Sequence, residues 1–472
     1  MRNKQTKIIC TLALDRCGSD FIKQLVDNGM DVVRLNSAHL DIAGAEQIVA
    51  NIRAVSDRVG ILLDTKGPEV RTCNVEKTLF LKAGDTVEIG VNRVPENGFQ
   101  VSYSGFADEV PTGSRVLIDD GLIALSVEKK TADTLICTAL NDGEIKNKKG
   151  VNVPGIKLDL PALTEKDAEF IDWATRNEID FIAHSFVRCR EDILAIQGIL
   201  DLRRSPIKII AKIENREGVD NLESILDVAH GIMVARGDLG IEIPAEEVPG
   251  VQKEMIKTCI RRIKPVITAT QMLESMVNNP RPTRAEVSDV ANAIYDGTDA
   301  IMLSGETAYG KFPVEAVQMM SKVARTVESQ KESLLEVIPV HQQNAEVMPR
   351  NHLAKAAVAC AAALPVKAII TSTNAGITAR ICASYRGRSP ILALSEKMST
   401  VRQLSLSYGV YSSKIDMPVT TDELVKVCLL KMIEEKKIAQ DDLIVFIGGG
   451  HQNEAQHTNM ILIETPAVLL KQ

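Results

Sequence analysis

The segments Ile207-Lys-Ile-Ile-Ala-Lys-Ile-Glu-Asn215 and Gly231-Ile-Met-Val-Ala-Arg-Gly-Asp-Leu-Gly240 carry the pattern that decides the fold. Each begins with a short apolar run that indicates a buried strand, and each ends in charged residues. Lys212 and Glu214 follow the first run, and Arg236 and Asp238 follow the second. The two segments therefore predict neighbouring buried strands whose ends carry a lysine, an arginine and two carboxylates.

The same alternation of strand and helix extends in both directions from these segments. Apolar runs predict parallel strands, separated by amphipathic helices, at residues 7–12, 32–35, 61–64, 180–186, 207–213, 231–235, 265–269 and 300–303. The alternation stops between about residues 71 and 153, where short β-rich segments separated by glycines predict a separate all-β domain. This domain is inserted between the third strand and the helix that follows it.

The predicted fold class is α/β, with a (β/α)₈ TIM barrel, an inserted all-β lid domain and a C-terminal α/β domain. Residues 1–70 and 154–335 form the barrel, and together they have about the 250 residues that such a barrel typically needs. A doubly wound open sheet is the alternative, but eight strands in this length favour a closed barrel. The inserted domain covers residues 71–153. After a polar linker around residues 340–350, residues 345–472 predict a C-terminal domain with a sheet of about five strands.

The composition excludes several classes of partner. A formal net charge of −7 and an aromatic content of 3% argue against nucleic acid and against an anionic membrane surface. The nine cysteines include no Cys-x-x-Cys pair, which is typical of reduced thiols in a cytoplasmic protein. No signal peptide is expected, and the longest apolar stretch, residues 356–366, is too short to span a bilayer.

Seven of the eight predicted strands end in polar or charged residues, at the end where TIM barrels place their active sites. Loops are generally polar, so one such residue means little, but buried lysine, arginine and glutamate are costly unless a metal or ligand pairs them. The set consists of Arg34 and Asn36, Asp64 and Thr65, Ser185 and Arg188, Lys212 and Glu214, Arg236 and Asp238, Thr270 and Gln271, and Ser304 and Glu306.

The charges of this set suggest chemistry on a phosphorylated, anionic small molecule. Glu214 and Asp238 suit Mg²⁺, which keeps waters and takes further ligands from its substrate. Lys212 suits a developing oxyanion and Arg34 a phosphoryl group. The backbone N–H groups of Gly237 and Asp238 suit a substrate carboxylate. Candidates for relaying a proton through water, which the sequence does not rank, are Thr270, Ser304 and Glu306.

Several longer motifs resemble the pyruvate kinase family, and the likeness covers essentially the whole chain in the right order. Besides the two opening segments, they are Asp64-Thr-Lys-Gly-Pro-Glu-Val-Arg71, Asn147-Lys-Lys-Gly-Val-Asn152, Ile267-Thr-Ala-Thr-Gln-Met-Leu-Glu-Ser275 and Asp296-Gly-Thr-Asp-Ala-Ile-Met-Leu-Ser-Gly-Glu-Thr307. The resemblance implies phosphoryl transfer from phosphoenolpyruvate to ADP, giving pyruvate and ATP in the last step of glycolysis. It also implies a homotetramer.

The resemblance assigns a role to each site residue. Lys212 would stabilise the enolate and the transferring phosphoryl group, while Glu214 and Asp238 would bind Mg²⁺ or Mn²⁺. Phosphoenolpyruvate would contact Arg34, Lys212, Gly237, Asp238 and Thr270. The nucleotide would contact Arg71, Lys149 and His39, two of which lie at the hinges of a lid that closes over the site. A K⁺ ion would be bound by Asn36, Asp64 and Thr65.

The chain departs from the family pattern at two active-site motifs. Arg34-Leu-Asn-Ser-Ala-His-Leu40 stands in place of Arg-Leu-Asn-Phe-Ser-His-Gly, so the serine expected to bind K⁺ is Ala38. We expect K⁺ to bind more weakly, with Ser37 or a water replacing the lost hydroxyl. Thr11-Leu-Ala-Leu14 replaces Thr-Ile-Gly-Pro beside the nucleotide site, which leaves the nucleotide preference open.

A second site is expected in the C-terminal domain. Residues 371–378 connect a strand to a helix, and in the family this loop binds sugar-phosphate activators. Hydroxyl and N–H groups there suit a sugar-phosphate or nucleotide effector, although an ordinary capped turn is an equal alternative. The candidate residues are Ser372, Thr373, Asn374, Gly376 and Thr378.

Two other classes of function compete with the kinase. A metal-dependent lyase or aldolase acting on pyruvate-like enolates would use a barrel and a metal, but it would need neither ADP nor Arg71 and Lys149. A catalytically inactive sensor of phosphoenolpyruvate or sugar phosphates is favoured slightly by Leu14 and Ala38. The retained Lys212 argues strongly against it.

Overall fold

The computed structural model describes residues 4–330, 347–416, 420–449 and 458–471. Eight parallel strands form a closed barrel in which consecutive strands of the barrel are neighbours, as predicted. The strands are Lys7–Leu12, Val32–Asn36, Gly60–Asp64, Phe181–His184, Lys208–Ile213, Gly231–Ala235, Val266–Ala269 and Ala300–Leu303. Their side chains alternate between a small core inside the barrel and a larger core under the surrounding helices.

The barrel helices bury one face each against the strands. Two of them begin with a capping box, in which Thr164 pairs with Asp167 and Thr283 with Glu286. The helices are Ser19–Asn28, Ile42–Val55, Glu165–Ala174, Arg190–Leu202, Arg216–Asp220, Leu222–Val228, Arg236–Glu242, Val248–Arg261, Arg284–Asp296, Gly305–Ala308 and Pro313–Gln330, with 3₁₀ turns at Leu14–Arg16 and Glu274–Val277.

The inserted domain is a β structure with one short helix, Phe106–Glu109. Seven strands form its main sheet: Thr72–Cys73, Thr86–Gly90, Gly98–Val101, Arg115–Ile118, Ile123–Lys130, Thr134–Ala139 and Val151–Asn152. Leu79–Leu81 and Gly143–Ile145 form a second, two-stranded sheet. Arg71 and Gly150 pair across the two connections to the barrel, so entry and exit lie side by side as a hinge requires.

The C-terminal domain contains a five-stranded sheet, as predicted. Its strands, in spatial order, are Val410–Lys414, Ile391–Ser395, Ala368–Ser372, Ile444–Gly448 and the antiparallel Met460–Glu464. Its helices are Val347–Ala363, Ile377–Ser384, Met398–Gln403, Thr421–Glu434 and Pro466–Leu469, with a 3₁₀ turn at Leu404–Leu406. This turn carries Leu406 into the core inside the barrel, so the domain packs against the bottom of the barrel.

Two expectations about boundaries need correction. The fourth strand ends at His184, because Phe186 has a φ of +55° that breaks the extended conformation. The predicted linker around residues 340–350 is helical from Val347 onwards, and its earlier residues lie outside the described ranges. Within the described ranges, no helix has both the length and the apolar character needed to cross a membrane.

Candidate active site

A cluster of charged side chains lies where four neighbouring barrel strands end. Lys212 Nζ is 3.1 Å from Asp64 Oδ1, 3.1 Å from Glu214 Oε1 and 2.7 Å from Ser185 Oγ. On the other side, Arg34 Nε donates to Asp64 Oδ2 at 2.6 Å. Two cations and two carboxylates, predicted from separate segments of the sequence, thus meet in one network, which we call the strand-end cluster (Arg34, Asp64, Lys212 and Glu214).

Burial makes the charges of this cluster depend on one another. Burial favours the neutral amine of Lys212, but the carboxylates of Asp64 and Glu214 outweigh it and raise the pKa of the lysine. Burial also opposes ionisation of Asp64, yet Lys212 and Arg34 hold the pKa of that carboxyl below its usual value. For Glu214, burial prevails over Lys212, and with the nearby Asp238 it raises the pKa. Lys212 is therefore a permanent cation, and a metal ion that binds Glu214 must compete with a proton.

The residues expected to bind K⁺ lie beside the cluster. The Asn36 position pairs with Asp64 in the sheet register, and the Asn36 amide oxygen accepts from the Ala38 N–H at 3.1 Å. The carbonyl oxygen of Thr65 accepts from Ser185 Oγ at 2.6 Å. Ser37 Oγ is buried and makes no hydrogen bond, so it is the one hydroxyl at this strand end that lacks a partner among the described residues.

Thr270 has an unusual backbone conformation that other residues of the site hold in place. Its φ is +67°, which is strained for a β-branched residue. Arg236 donates to the carbonyl oxygens of Ala269 and Thr270 at 3.2 and 2.6 Å and pairs with Asp289 at 2.7 Å. The Gly237 N–H donates to Thr270 Oγ1 at 2.9 Å. Gly237 and Thr270, predicted from different strands to contact one substrate, are therefore neighbours.

The other two relay candidates lie at the eighth strand. Glu306 is buried, and its two carboxylate oxygens accept the backbone N–H groups of Leu273 at 3.0 Å and Ser304 at 2.8 Å. Burial raises the pKa of Glu306, and these N–H groups oppose the shift. The contacts of Glu306 link the loops that follow the seventh and eighth strands.

A cleft of about 740 Å³ opens between the barrel and the inserted domain. Glu214, Asp238, Arg71 and Lys149 all line it. Arg71 forms an ion pair with Glu69 and donates to the Lys148 carbonyl at 2.7 Å. Lys149 pairs with Asp119 at 2.9 Å. The third nucleotide candidate, His39, is exposed and is not among the residues that line this cleft.

The cleft offers two carboxylates to a divalent metal. Glu214 Oε1 is buried and, apart from its ion pair with Lys212, accepts no hydrogen bond, so it has an acceptor position that a metal cation could take. Elsewhere in the described ranges, as here, no three His, Cys, Asp or Glu side chains converge as a metal site. Two protein carboxylates fit Mg²⁺ or Mn²⁺, with water and substrate oxygens completing the shell.

The predicted effector residues form one loop in the C-terminal domain. Gly376 has a φ of +75°, and its N–H donates to Thr373 Oγ1 at 2.9 Å. Asn374 accepts from Thr400 through its carbonyl oxygen at 2.8 Å. Thr378 Oγ1 lies 2.9 Å from Thr458 Oγ1, and Ser372 ends the strand that precedes the loop.

Ser185 and Arg236 make contacts in the site that their positions in the sequence do not indicate. Ser185 links Lys212 to the Thr65 carbonyl, and Arg236 fixes the backbone of Thr270. The sequence identifies both as polar residues at strand ends but assigns no role to either. A signal was available for Ser185, because it lies at the end of the predicted strand next to the one that carries Asp64 and Thr65. By contrast, Arg188 pairs with Asp192 of the helix that follows it, at 3.1 Å.

Comparison with known proteins identifies the family. The family model for the pyruvate kinase barrel domain matches residues 3–317, and that for the pyruvate kinase alpha/beta domain matches residues 351–464. A pyruvate kinase from Borreliella burgdorferi is 47% identical over 469 residues, which cover 98% of each chain. One from Geobacillus stearothermophilus is 45% identical over 478 residues, covering 99% of this chain and 81% of that relative. The chain belongs to the pyruvate kinase family.

Proposed function

We propose that this member of the pyruvate kinase family uses the strand-end cluster to transfer the phosphoryl group of phosphoenolpyruvate to ADP. The observation that carries the proposal is Lys212, a largely buried cation that lies between the carboxyl groups of Asp64 and Glu214 at the mouth of the barrel. Phosphoryl transfer depends mainly on positioning and charge neutralisation. Lys212 would stabilise the enolate oxygen and the transferring group, and Arg34 would bind the phosphoryl oxygens from the opposite side of Asp64.

Glu214 and Asp238 would hold the divalent metal that the family requires. Such a metal supplies a Lewis acid that neutralises charge on substrate oxygens. The raised pKa of Glu214 fits this role, because a protonated carboxyl can exchange its proton for the ion. Gly237 and Thr270 would contact the substrate beside Asp238, in the conformation that Arg236 maintains.

A monovalent cation would bind beside the cluster. Oxygen ligands for K⁺ would come from Asn36, Asp64 and the Thr65 carbonyl. Ala38 lacks the hydroxyl that a serine supplies at this position in the family. The unpartnered hydroxyl of Ser37 supports the expectation that a neighbouring group replaces it. The existing contacts of Asn36 and the Thr65 carbonyl support weaker K⁺ binding, because the ion must compete with them.

The nucleotide would enter from the inserted domain. Arg71 and Lys149 face the cleft from the two connections of that domain, so its closure would bring both toward the phosphates of ADP. His39 would reach the nucleotide from the barrel rim. Leu14, which is 43% exposed, leaves the preference for the base open.

Of the three candidates for relaying a proton, Thr270 is favoured over Ser304 and Glu306 as the residue that delivers the proton to the enolate carbon. The Thr270 hydroxyl lies beside Gly237, at the predicted substrate position. Glu306 already accepts two N–H groups, which favours a structural role, and Ser304 lies next to it. Exchange of a proton with water through Thr270 would complete the reaction.

Three further features belong to the proposal. The loop of Ser372, Thr373, Asn374, Gly376 and Thr378 would bind a sugar-phosphate or nucleotide effector, and the enzyme would act as a homotetramer. A cytoplasmic location is supported by the nine cysteines, none of which forms a disulfide. The boundaries 1–70, 71–153, 154–335 and 345–472 remain our domain division.

Replacement of Lys212 tests the proposal. Lys212→Met should lower kcat by about 10²–10³ or more and change KM for phosphoenolpyruvate much less, because the lysine acts mainly on charge that develops in the transition state. Lys212→Arg is the matched control that keeps the charge, and circular dichroism reports the fold. A Lys212→Met enzyme with nearly full kcat would refute the assigned role.

A further inference from the structure

A buried carboxylate lies where the chain passes from the barrel into the inserted domain. Asp167 belongs to the first turn of the helix Glu165–Ala174, and it is fully buried. Asp167 Oδ1 accepts a hydrogen bond from the Lys66 N–H at 2.8 Å, and Oδ2 accepts one from the Gly67 N–H at 3.2 Å. Lys66 and Gly67 follow the third strand, so the carboxylate holds the outgoing connection to the inserted domain.

The same carboxylate also contacts the end of the returning connection. Thr164 precedes the helix as its N-cap, and its N–H and hydroxyl donate to Asp167 Oδ2 at 3.2 and 2.6 Å. Asp167 therefore accepts the backbone N–H groups of three residues, from the segments that enter and leave the inserted domain. We call this set the hinge anchor (Lys66, Gly67, Thr164 and Asp167). Hydrogen bonds to a carboxylate are stronger than those between neutral groups, which suits an anchor.

The outgoing connection is tightly packed where it passes the active site. Gly67 has a φ of +72°, and a Cβ atom there would lie 2.7 Å from Ser185 Cβ and 2.8 Å from Phe186 Cδ2. Ser185 Oγ lies 2.7 Å from Lys212 Nζ. The Phe186 N–H donates to Glu214 Oε2 at 2.6 Å. The hinge anchor therefore packs directly against residues that contact the strand-end cluster.

Beyond the hinge anchor, the two connections are paired with each other. The Val151 N–H donates to the Val70 carbonyl oxygen at 2.8 Å, and Arg71 pairs with Gly150 as an antiparallel bridge. Two residues separate Gly67 from Val70, so the outgoing chain has only this short stretch in which to absorb a rotation of the inserted domain. The position of Arg71 after closure therefore depends on where Gly67 is held.

We propose that Asp167 is a positioning residue that fixes the barrel end of the hinge and thereby determines where closure of the inserted domain places Arg71. This inference rests on the proposed function, in which Arg71 and Lys149 contact the phosphates of ADP. With the anchor intact, closure leads to one arrangement of these two cations. With the anchor loosened, the closed domain can adopt several arrangements, and ADP binding must provide the free energy that selects one of them.

Replacement of Asp167 should affect the two substrates differently. Asp167→Asn keeps the size of the side chain, but its amide nitrogen accepts no hydrogen bond, so the contacts of one oxygen are lost. The KM for ADP should rise by about tenfold, because ADP binding must then order the inserted domain. The KM for phosphoenolpyruvate should change by less than about twofold, because its predicted ligands lie on the barrel. An equal rise in both values, or an unchanged KM for ADP, would overturn the proposal.

Thr164→Val is the matched control for a purely structural effect. It removes a hydroxyl from the same capping box but leaves the Lys66 and Gly67 contacts in place. Both variants should lower the unfolding temperature, because each weakens the start of the helix. Only Asp167→Asn should raise the KM for ADP. The same rise in Thr164→Val would show that the stability of the helix is the cause and would refute the positioning role.

Hydrogen exchange of the protein without substrates tests the anchor separately from the reaction. In Asp167→Asn, the Lys66 and Gly67 amides should exchange about tenfold faster, as measured by mass spectrometry on peptides that cover both residues. In Thr164→Val they should exchange at the rate of the unaltered protein. Unchanged exchange in Asp167→Asn would contradict the proposal even in an active enzyme. Faster exchange in a protein that lacks ADP-dependent activity would support the anchor and refute the proposed function instead.

Discussion

Asp64 is the residue on which the charge balance of the active site depends most. It lies between Arg34 and Lys212, at 2.6 and 3.1 Å, and its side chain is 1% exposed. Asp64→Asn preserves the shape of the side chain but removes the carboxylate that faces both cations. Glu214, whose pKa is raised by burial, does not fully replace it.

The expected loss of stability is large. Removal of one partner from a buried ion pair typically costs about 3–5 kcal/mol, because the other charge remains buried. The side chains of Lys212 and Arg34 are only 12% and 13% exposed, so water compensates little. We therefore expect Asp64→Asn to lower the free energy of unfolding of the barrel by about 3 kcal/mol. In the double variant, which combines Asp64→Asn with Lys212→Met, part of that loss should be recovered. The coupling free energy between the two residues should be about 1–3 kcal/mol.

The single tryptophan allows the barrel to be followed separately. Trp173 lies on the barrel helix Glu165–Ala174, is 3% exposed and donates to Glu46 at 3.1 Å. Its fluorescence during urea unfolding reports the barrel and not the other domains. The free energies of the unaltered chain, the two single variants and the double variant, measured without metal at pH 7, complete the cycle.

Additive effects would refute this reasoning. If the double variant loses the sum of the two single losses within about 0.5 kcal/mol, Asp64 and Lys212 do not stabilise each other. The exposed pair Lys23–Asp27, whose side chains are 65% and 58% exposed, is the matched control. Its cycle should show a coupling near zero.

Three further predictions concern the reaction itself. Ser185→Ala should lower kcat by about tenfold, because Lys212 loses a hydrogen-bond acceptor at 2.7 Å. Ser185→Thr, which keeps a hydroxyl, should recover part of the lost kcat. A change in KM alone would contradict this role of Ser185. The affinity for Mn²⁺ without substrate should rise between pH 6 and 8, because Glu214, whose pKa is raised to about 8, must release a proton to bind the metal. A constant Mn²⁺ affinity over this range, measured by calorimetry, would contradict the role of Glu214 as a metal ligand. Ala38→Ser should lower the KCl concentration for half-maximal activity, while equal rates of the unaltered enzyme in KCl and NaCl would exclude the K⁺ site.

The barrel and the location of its site could be predicted because both depend on local patterns. Apolar runs such as residues 231–235 identify the strands, and parallel strands of a closed barrel place all their carboxyl ends together. Lys212, Asp64 and Arg34 had to meet once the strand order was known. The strained φ of Thr270 left no sequence signal of its own, because a threonine with positive φ depends on contacts such as that with Arg236.

Contacts across long separations in the chain were beyond prediction for a related reason. Periodicity gives the direction of a side chain within a strand, but not in the loop after it, where Ser185 turns toward Lys212. Arg402 of the C-terminal domain binds Asp180 of the barrel at 3.0 Å, and nothing in either segment indicates the other. The packing of the C-terminal domain against the barrel determines that neighbourhood.

The measurement that tests the central claim most directly is pyruvate formation from phosphoenolpyruvate with Mg²⁺ and K⁺, with ADP either present or omitted. Our account predicts rapid release of pyruvate, with one ATP formed per pyruvate, only when ADP is present. Pyruvate release that does not require ADP would indicate a lyase or phosphatase. The absence of release at any ADP concentration would indicate a binding protein, and either result would contradict phosphoryl transfer by the strand-end cluster.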